Sequence, residues 1–264
     1  MKQAPAILLT IDVEECDIPL EYGYSLDLEE QLDQSRKGLA EFMSVISQTQ
    51  VPCTIFCTGV YAQHNSEWIK GLDAKHELAS HGFYHSKFEP QTDLLSSRLL
   101  LEELSGRKVV GFRMARMQHV EEADILKAGY TYHSSLNPTW IPGRYNHLKA
   151  SKLPFFEKGL WNIPASVTPN FRIPLFWLAF KNFPLWVYKQ MCKETLLKHG
   201  FLNLYFHPWE FADLSKYPLP AHVSRGSKGE LVSKLKSLIL YLQEEGLGEF
   251  MTMENFVKQL ENGK

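Results

Sequence analysis

Short apolar runs alternate with longer stretches of helical period along most of the chain. Residues 6–12 are apolar without helical spacing and predict a buried strand. The run ends at Asp12, with Glu14 and Glu15 close behind it. Residues 17–27, which carry Pro19 and Gly23, read as a loop. Leu28, Leu32, Leu39, Phe42, Met43 and Ile46 then share one helical face, predicting an amphipathic helix to about Thr49 that Val51-Pro52 stops. The alternation continues with a strand at 53–58 closed by Gly59, a helix to about Ile69, and a strand at 77–80. A helix at 94–104 ends at Gly106, and a strand covers 109–112. A helix at 120–127 is stopped by Gly129, and a strand covers 130–134.

Residues 135–175 are rich in proline and aromatics and lack periodicity, so loops with one short strand near 161–163 are expected. Residues 176–197 predict a helix broken at Pro184. A strand at 202–206, an amphipathic helix at 230–243, a strand at 250–252 and a helix at 253–260 complete the chain. Strand and helix thus alternate about seven or eight times without a linker or repeat. This implies one α/β domain over residues 1–264 with parallel strands, as a barrel or an open sheet. Asp12, His81, Arg113 and His207 all follow predicted strand ends. Active sites of such folds are built on that rim.

Composition narrows the reading. The 264 residues, 44% hydrophobic and 22% charged, suffice for one sizeable core. A net charge of −2 provides no general field for nucleic acid. No apolar stretch reaches the roughly 18–20 residues of a bilayer span. The start shows no basic-then-apolar leader, and a cytoplasmic protein is the expectation. Cys16, Cys53, Cys57 and Cys192 lack zinc-knuckle spacing and read as reduced thiols.

The chemistry centres on His76-Glu77-Leu78-Ala79-Ser80-His81-Gly82-Phe83-Tyr84-His85. His81 and His85 stand four residues apart. Two imidazoles and one carboxylate can hold a first-row metal and leave positions open for water and substrate. The carboxylate is expected from the first strand end, where Glu14 and Glu15 compete for the role and spacing favours Glu14. A metal-dependent hydrolase centred on Asp12, Glu14, His81 and His85 follows.

With these residues in view, the chain resembles the polysaccharide deacetylases of carbohydrate esterase family 4. Thr10-Ile11-Asp12-Val13-Glu14 is similar to a variant of that family's first motif, with the second acid one residue later. Cys53-Thr54-Ile55-Phe56-Cys57-Thr58-Gly59 matches its second strand, the His76–His85 stretch its histidine motif, and Gly111-Phe112-Arg113 the start of its arginine motif. His207-Pro208-Trp209-Glu210 resembles the variant's last motif. The resemblance implies a distorted (β/α) barrel of seven or eight strands. It also implies a divalent metal, Zn²⁺ above all, on Glu14, His81 and His85. Asp12 would be the general base, Arg113 would hold it ionised and oriented, and His207 would be the general acid. The oxyanion would lie between the metal and a backbone N–H near Arg116.

Two departures matter. The family's Arg-x-Pro-Tyr is replaced by Arg113-Met114-Ala115-Arg116, which makes Arg116 a candidate substrate-binding cation for a carboxylate or phosphate. Trp209 is a candidate sugar contact. The acidic motif that orients the acid histidine is missing, leaving Glu157, Glu210 and Asp213 as candidates.

The resemblance points to removal of an N-acetyl, or similar N-acyl, group from an amino sugar or sugar precursor made inside the cell. The alternatives are a non-sugar amide hydrolase like the allantoinase relatives and a silent carbohydrate-binding barrel. The aromatic stretch 171–188, with Arg172, Lys181 and Lys189 interleaved, has three readings: a buried helical layer, a contact in a homo-oligomer, or a membrane-surface face serving a lipid-linked sugar.

Overall fold

The first strand, β1 (Ala6–Val13), is buried along its whole length and pairs with three others. The structure, a computed structural model, describes residues 4–86, 88–226 and 229–263. After β1 come β2 (Thr54–Cys57), β3 (Glu77–Ser80), β4 (Gly111–Phe112) and β5 (Tyr132–His133). A hairpin, β6 (Trp140–Ile141) with β7 (Tyr145–Asn146), precedes β8 (Phe155–Glu157), β9 (Leu160–Asn162), β10 (Phe201–Phe206) and β11 (Glu249–Met251). The main sheet runs β10-β1-β2-β3-β4-β5-β9-β8, parallel throughout except for β8. β11 pairs in parallel with the first residues of β1.

The sheet curls until its two ends approach. Ser166, just past β9, donates its N–H to Asn203 O of β10 at 3.0 Å. Asn203 returns a backbone bond to Ser166 Oγ (2.8 Å) and a side-chain bond to Pro164 O (3.0 Å). Few main-chain bonds cross this seam, so the result is a distorted parallel barrel of the expected class.

Side-chain alternation builds two apolar layers. Ile7, Leu9, Ile11 and Val13 of β1 pack outward with the helices Leu28–Thr49, Leu185–His199 and Glu230–Glu244. Ala6 and Leu8 face the other way, among Phe56, Tyr132, Trp161 and Phe201. Met253, Phe256 and Val257 of the helix Met253–Asn262 close this inner layer where the strands begin. Glu77 is buried there and accepts from Tyr132 Oη (2.5 Å), Thr54 Oγ1 (2.9 Å) and Glu254 N (2.9 Å). Burial outweighs those bonds and pushes its carboxyl up to about 7. A Cβ on Gly111 would stand 2.1 Å from the Tyr132 ring, so only glycine lets that ring reach Glu77.

Some local expectations change. The 17–27 loop contains a short helix, Ile18–Glu21, and the helix expected over 59–69 divides at Asn65 into Gly59–His64 and Ser66–Lys70. The 135–175 region holds two hairpins instead of one strand. β8 and β9 join through Lys158 and Gly159, with φ of 50° and 88°. Lysine at the first of two left-handed turn positions, where Asn or Asp is usual, hid that hairpin. The break at Pro184 is present, between the helices Trp177–Asn182 and Leu185–His199. All four cysteines are free and buried.

Candidate active site

β1 delivers Asp12 and then Glu14 to one cleft at the carboxyl rim. Ser35 Oγ of the helix Leu28–Thr49 donates to Glu14 O and fixes the turn. Glu15 points elsewhere and accepts from Thr58 Oγ1 at 2.7 Å, which decides between the two glutamates. β3 ends at Ser80, and Gly82 follows His81 at φ 82°. The helix that follows β2, Gly59–His64, secures this loop: Gly59 N donates to Gly82 O (2.9 Å) and Val60 N to Phe83 O (3.0 Å). These are N-terminal helix donors that would otherwise lack partners.

Glu14 Oε2 lies 3.2 Å from His81 Nε2 and 2.9 Å from His85 Nε2. Glu14 and His81 are buried, with relative exposures of 3% and 2%. Yet Glu14 Oε2 has no partner in hydrogen-bond geometry. Three ligand atoms within 4.8 Å of one another, converging without bonding, fit a cation at their common point. One carboxylate oxygen and two imidazole nitrogens suit zinc or a neighbouring first-row metal better than calcium. His85 Nδ1 contacts Asp17 Oδ2 at 2.7 Å, an outer carboxylate that fixes the ring. Burial opposes charge on both Glu14 and His85. Even so, the imidazoles hold Glu14 well below the usual carboxylate range, and Glu14 and Asp17 raise His85 well above the usual imidazole range.

Arg113 is fully buried and donates to Asp12 Oδ1 (2.6 Å), Thr10 Oγ1 (2.8 Å), Ser134 O (3.0 Å) and Ser134 Oγ (3.0 Å). Its guanidinium lies 4.1 Å from the centre of the Phe56 ring. Opposite, His207 Nε2 stands 3.9 Å from Asp12 Oδ2. Glu210 accepts from His207 N (2.6 Å) and contacts Nδ1 (3.0 Å), so of the three acidic candidates Glu210 is the partner. Burial opposes charge on His207, but Glu210, Glu14 and Asp12 raise its affinity for a proton. The helix Leu28–Thr49 braces this turn, where a Cβ on Gly38 would stand 1.8 Å from Pro208 O. Trp209 is buried, stacked 5.5 Å from His207 and edge-on to Trp177 at 5.0 Å.

Arg116 reaches the same cleft, but acids already hold its guanidinium: Asp17 at 2.7 Å and Glu21 at 3.1 Å. Arg116 and Met117 have φ of 57° and 52°, a left-handed pair that costs backbone energy and shapes this rim. The cleft is about 290 Å³ and brings together Asp12, Glu14, His85, Arg116, His207 and Trp209.

No family model matches the chain, and no curated protein matches it. Solved structures do. A protein assigned as a polysaccharide deacetylase from Mycobacterium smegmatis superposes with a TM-score of 0.69 at 16% identity, over 100% of this chain and 93% of its own. This chain has the polysaccharide deacetylase fold. Puue allantoinase shares that fold with a TM-score of 0.66 at 16% identity, over 96% of this chain and 89% of its own. So does a family 4 pseudoenzyme from Bacillus anthracis, with a TM-score of 0.54 at 13% identity, over 97% of this chain and 66% of its own. Within the polysaccharide deacetylase fold, the sequence reading missed Asp17 behind His85 and the Asp17–Arg116–Glu21–Arg144 ion network. Nothing in the spacing of a loop acid reveals a partner 68 residues away.

Proposed function

We propose that the protein is a metal-dependent hydrolase that removes an N-acetyl group from an amino sugar or sugar precursor. The observation that carries this is the convergence of Glu14, His81 and His85 beside an Asp12–His207 pair in one cleft. Glu14 Oε2, His81 Nε2 and His85 Nε2 would hold a divalent metal, for which Zn²⁺ fits the donors. When bound, such a metal polarises an acyl oxygen and acidifies water.

The remaining work belongs to the chain. Arg113 occupies Asp12 Oδ1 and leaves Oδ2 facing the cleft, where it takes a proton from the attacking water. Glu210 accepts from Nδ1–H of His207 and stabilises the imidazolium, in which Nε2 also carries a proton; His207 donates that Nε2 proton to the leaving nitrogen. Buried Trp209 and partly buried Trp177 wall that side against water. A non-sugar amide substrate is the second reading, favoured by the fold shared with Puue allantoinase.

A cytoplasmic setting and a lipid-linked sugar remain part of this reading. Phe171 and Trp186 are 84% and 74% exposed, as a membrane-surface or subunit contact requires, while Phe180 and Tyr188 of the same stretch are buried. Among the described residues no helix is long and apolar enough to cross a membrane.

The test is metal content of purified wild type, His81→Ala and His85→Ala, followed by acetate release from a panel of N-acetylated sugars. About one metal per chain, lost in both variants, is expected. Failure of the wild type to retain zinc, cobalt, nickel, manganese or iron when supplied would overturn the reading.

A further inference from the structure

One oxygen of Asp17 has two partners. Asp17 Oδ2 lies 2.7 Å from His85 Nδ1 and 2.7 Å from Arg116 Nη2, so it joins an imidazole of the candidate metal site to a guanidinium on the cleft rim. The other arm of that guanidinium, Nη1, lies 3.1 Å from Glu21 Oε1. Asp17 and Glu21 stand four residues apart, at the two ends of the one-turn helix Ile18–Glu21, and Arg116 spans both. Glu21 is fixed in turn, because its Oε2 accepts from Arg144 Nη2 at 3.1 Å.

The backbone at Arg116 is shaped for this reach. Met114 N donates to Ser135 Oγ at 2.8 Å, and buried Ala115 and Met117 anchor the turn on either side of Arg116. Arg116 and Met117 both hold a left-handed conformation. Such residues persist only where their surroundings over-determine them, and they gather at functional sites.

Two plainer roles account for less. An ordinary surface ion pair at 35% side-chain exposure contributes little stability and needs neither the left-handed turn nor the contact with His85. A substrate-binding cation needs a free face, yet both arms of the Arg116 guanidinium are on acids. Asp12, Glu14, Asp17 and Glu21 also line the cleft, and their charge opposes an incoming anion. What the geometry does supply is a chain of contacts that ends on a metal-site ring. A carboxylate can orient an imidazole only if it is itself held in place.

We infer that Arg116 is a positioning residue of the metal centre: its guanidinium locks Asp17 to the Ile18–Glu21 helix, and Asp17 locks the His85 ring. This rests on the metal-dependent reading above. Arg116 then serves neutral and anionic substrates alike, and its side chain makes no contact that the reaction itself requires.

Arg116→Lys is the decisive variant, because lysine keeps the positive charge but cannot bond two carboxylates in a fixed fork. Wild type, Arg116→Lys, Asp17→Asn and the double variant are compared as full-length protein, with circular dichroism melts to establish folding. Zn²⁺ affinity is measured by competition with EDTA, and the visible spectrum of the Co²⁺ forms reports the geometry of the ligands. Asp17→Asn should weaken metal binding about ten- to a hundredfold, the usual worth of an outer partner. Arg116→Lys should weaken it by roughly threefold or more and shift the Co²⁺ spectrum. In the Asp17→Asn background the same lysine should change neither, because the effect passes through Asp17. KM for N-acetylglucosamine and for N-acetylmuramic acid, which adds a carboxylate, should move by the same factor in Arg116→Lys.

Metal held by Arg116→Lys as tightly as by wild type, or a loss that recurs in full in the Asp17→Asn background, would sink the inference and leave the hydrolase reading standing. A rise in KM confined to the carboxylate-bearing sugar would do the same. A wild type that retains no metal would remove both.

Discussion

Replacing Arg113 with methionine tests the electrostatic frame of the site. Methionine keeps most of the side-chain length but removes all four hydrogen bonds to Asp12, Thr10 and Ser134. Thr10 Oγ1 still donates to Leu204 O and Ser134 Oγ to Ile163 O, so the hydroxyls lose little. Asp12 loses its only guanidinium partner among the described residues, at 2% relative exposure. Leaving one member of a buried ion pair alone costs about 3–5 kcal/mol. At roughly 2–4 °C per kcal/mol for a chain of this size, the melting temperature should fall by about 6–20 °C. Asp12→Asn should recover part of this, because it removes the stranded charge. Urea unfolding of wild type, both single variants and the double variant, followed by tryptophan fluorescence and circular dichroism, measures the coupling. A coupling of about 2 kcal/mol or more is expected for two groups in direct contact. A cost below about 1 kcal/mol for Arg113→Met, or strictly additive single costs, would refute the reasoning.

Other outcomes follow from the same geometry. His207→Ala should lower kcat by about 10²–10⁴, the usual worth of a positioned proton donor. Glu210→Gln should shift the basic limb of the kcat/KM profile to lower pH, because the carboxylate is what raises His207; an unmoved limb would remove His207 as the acid. Glu77 binds its proton more tightly folded than unfolded, so its contribution to stability is full below about 4.5 and is lost as pH rises through about 7. Glu77→Gln should therefore flatten the fall in melting temperature between pH 5 and pH 8, and an unchanged slope would argue against a titrating Glu77.

Much of the frame was legible because it depends on local pattern. The apolar run to Asp12, the helical face from Leu28 and the strand before His207 each announce themselves within a few residues. The His81–His85 spacing is equally local, and the structure brings both imidazoles onto Glu14. What stayed hidden depends on contacts across the chain. Asp17 meets His85, Glu21 meets Arg144, and Asn203 meets Ser166 only after the sheet curls. Trp209 shows a related limit: its motif suggests a sugar platform, but packing against Trp177 and Lys181 buries it.

The three partners of β1 bear on how the molecule is made. Thr10 bonds to Leu204 across 194 positions, and Ala6 pairs with both Phe201 and Glu249. On a ribosome, β1 therefore emerges long before two of its neighbours exist. One edge of β1, and the pairing of its starting residues, stay open until β10 and β11 have been synthesised. Such distant pairing predicts slow, late closure and exposure to aggregation in the interval. Chaperone dependence during synthesis would then be set by this one strand more than by the rest of the barrel.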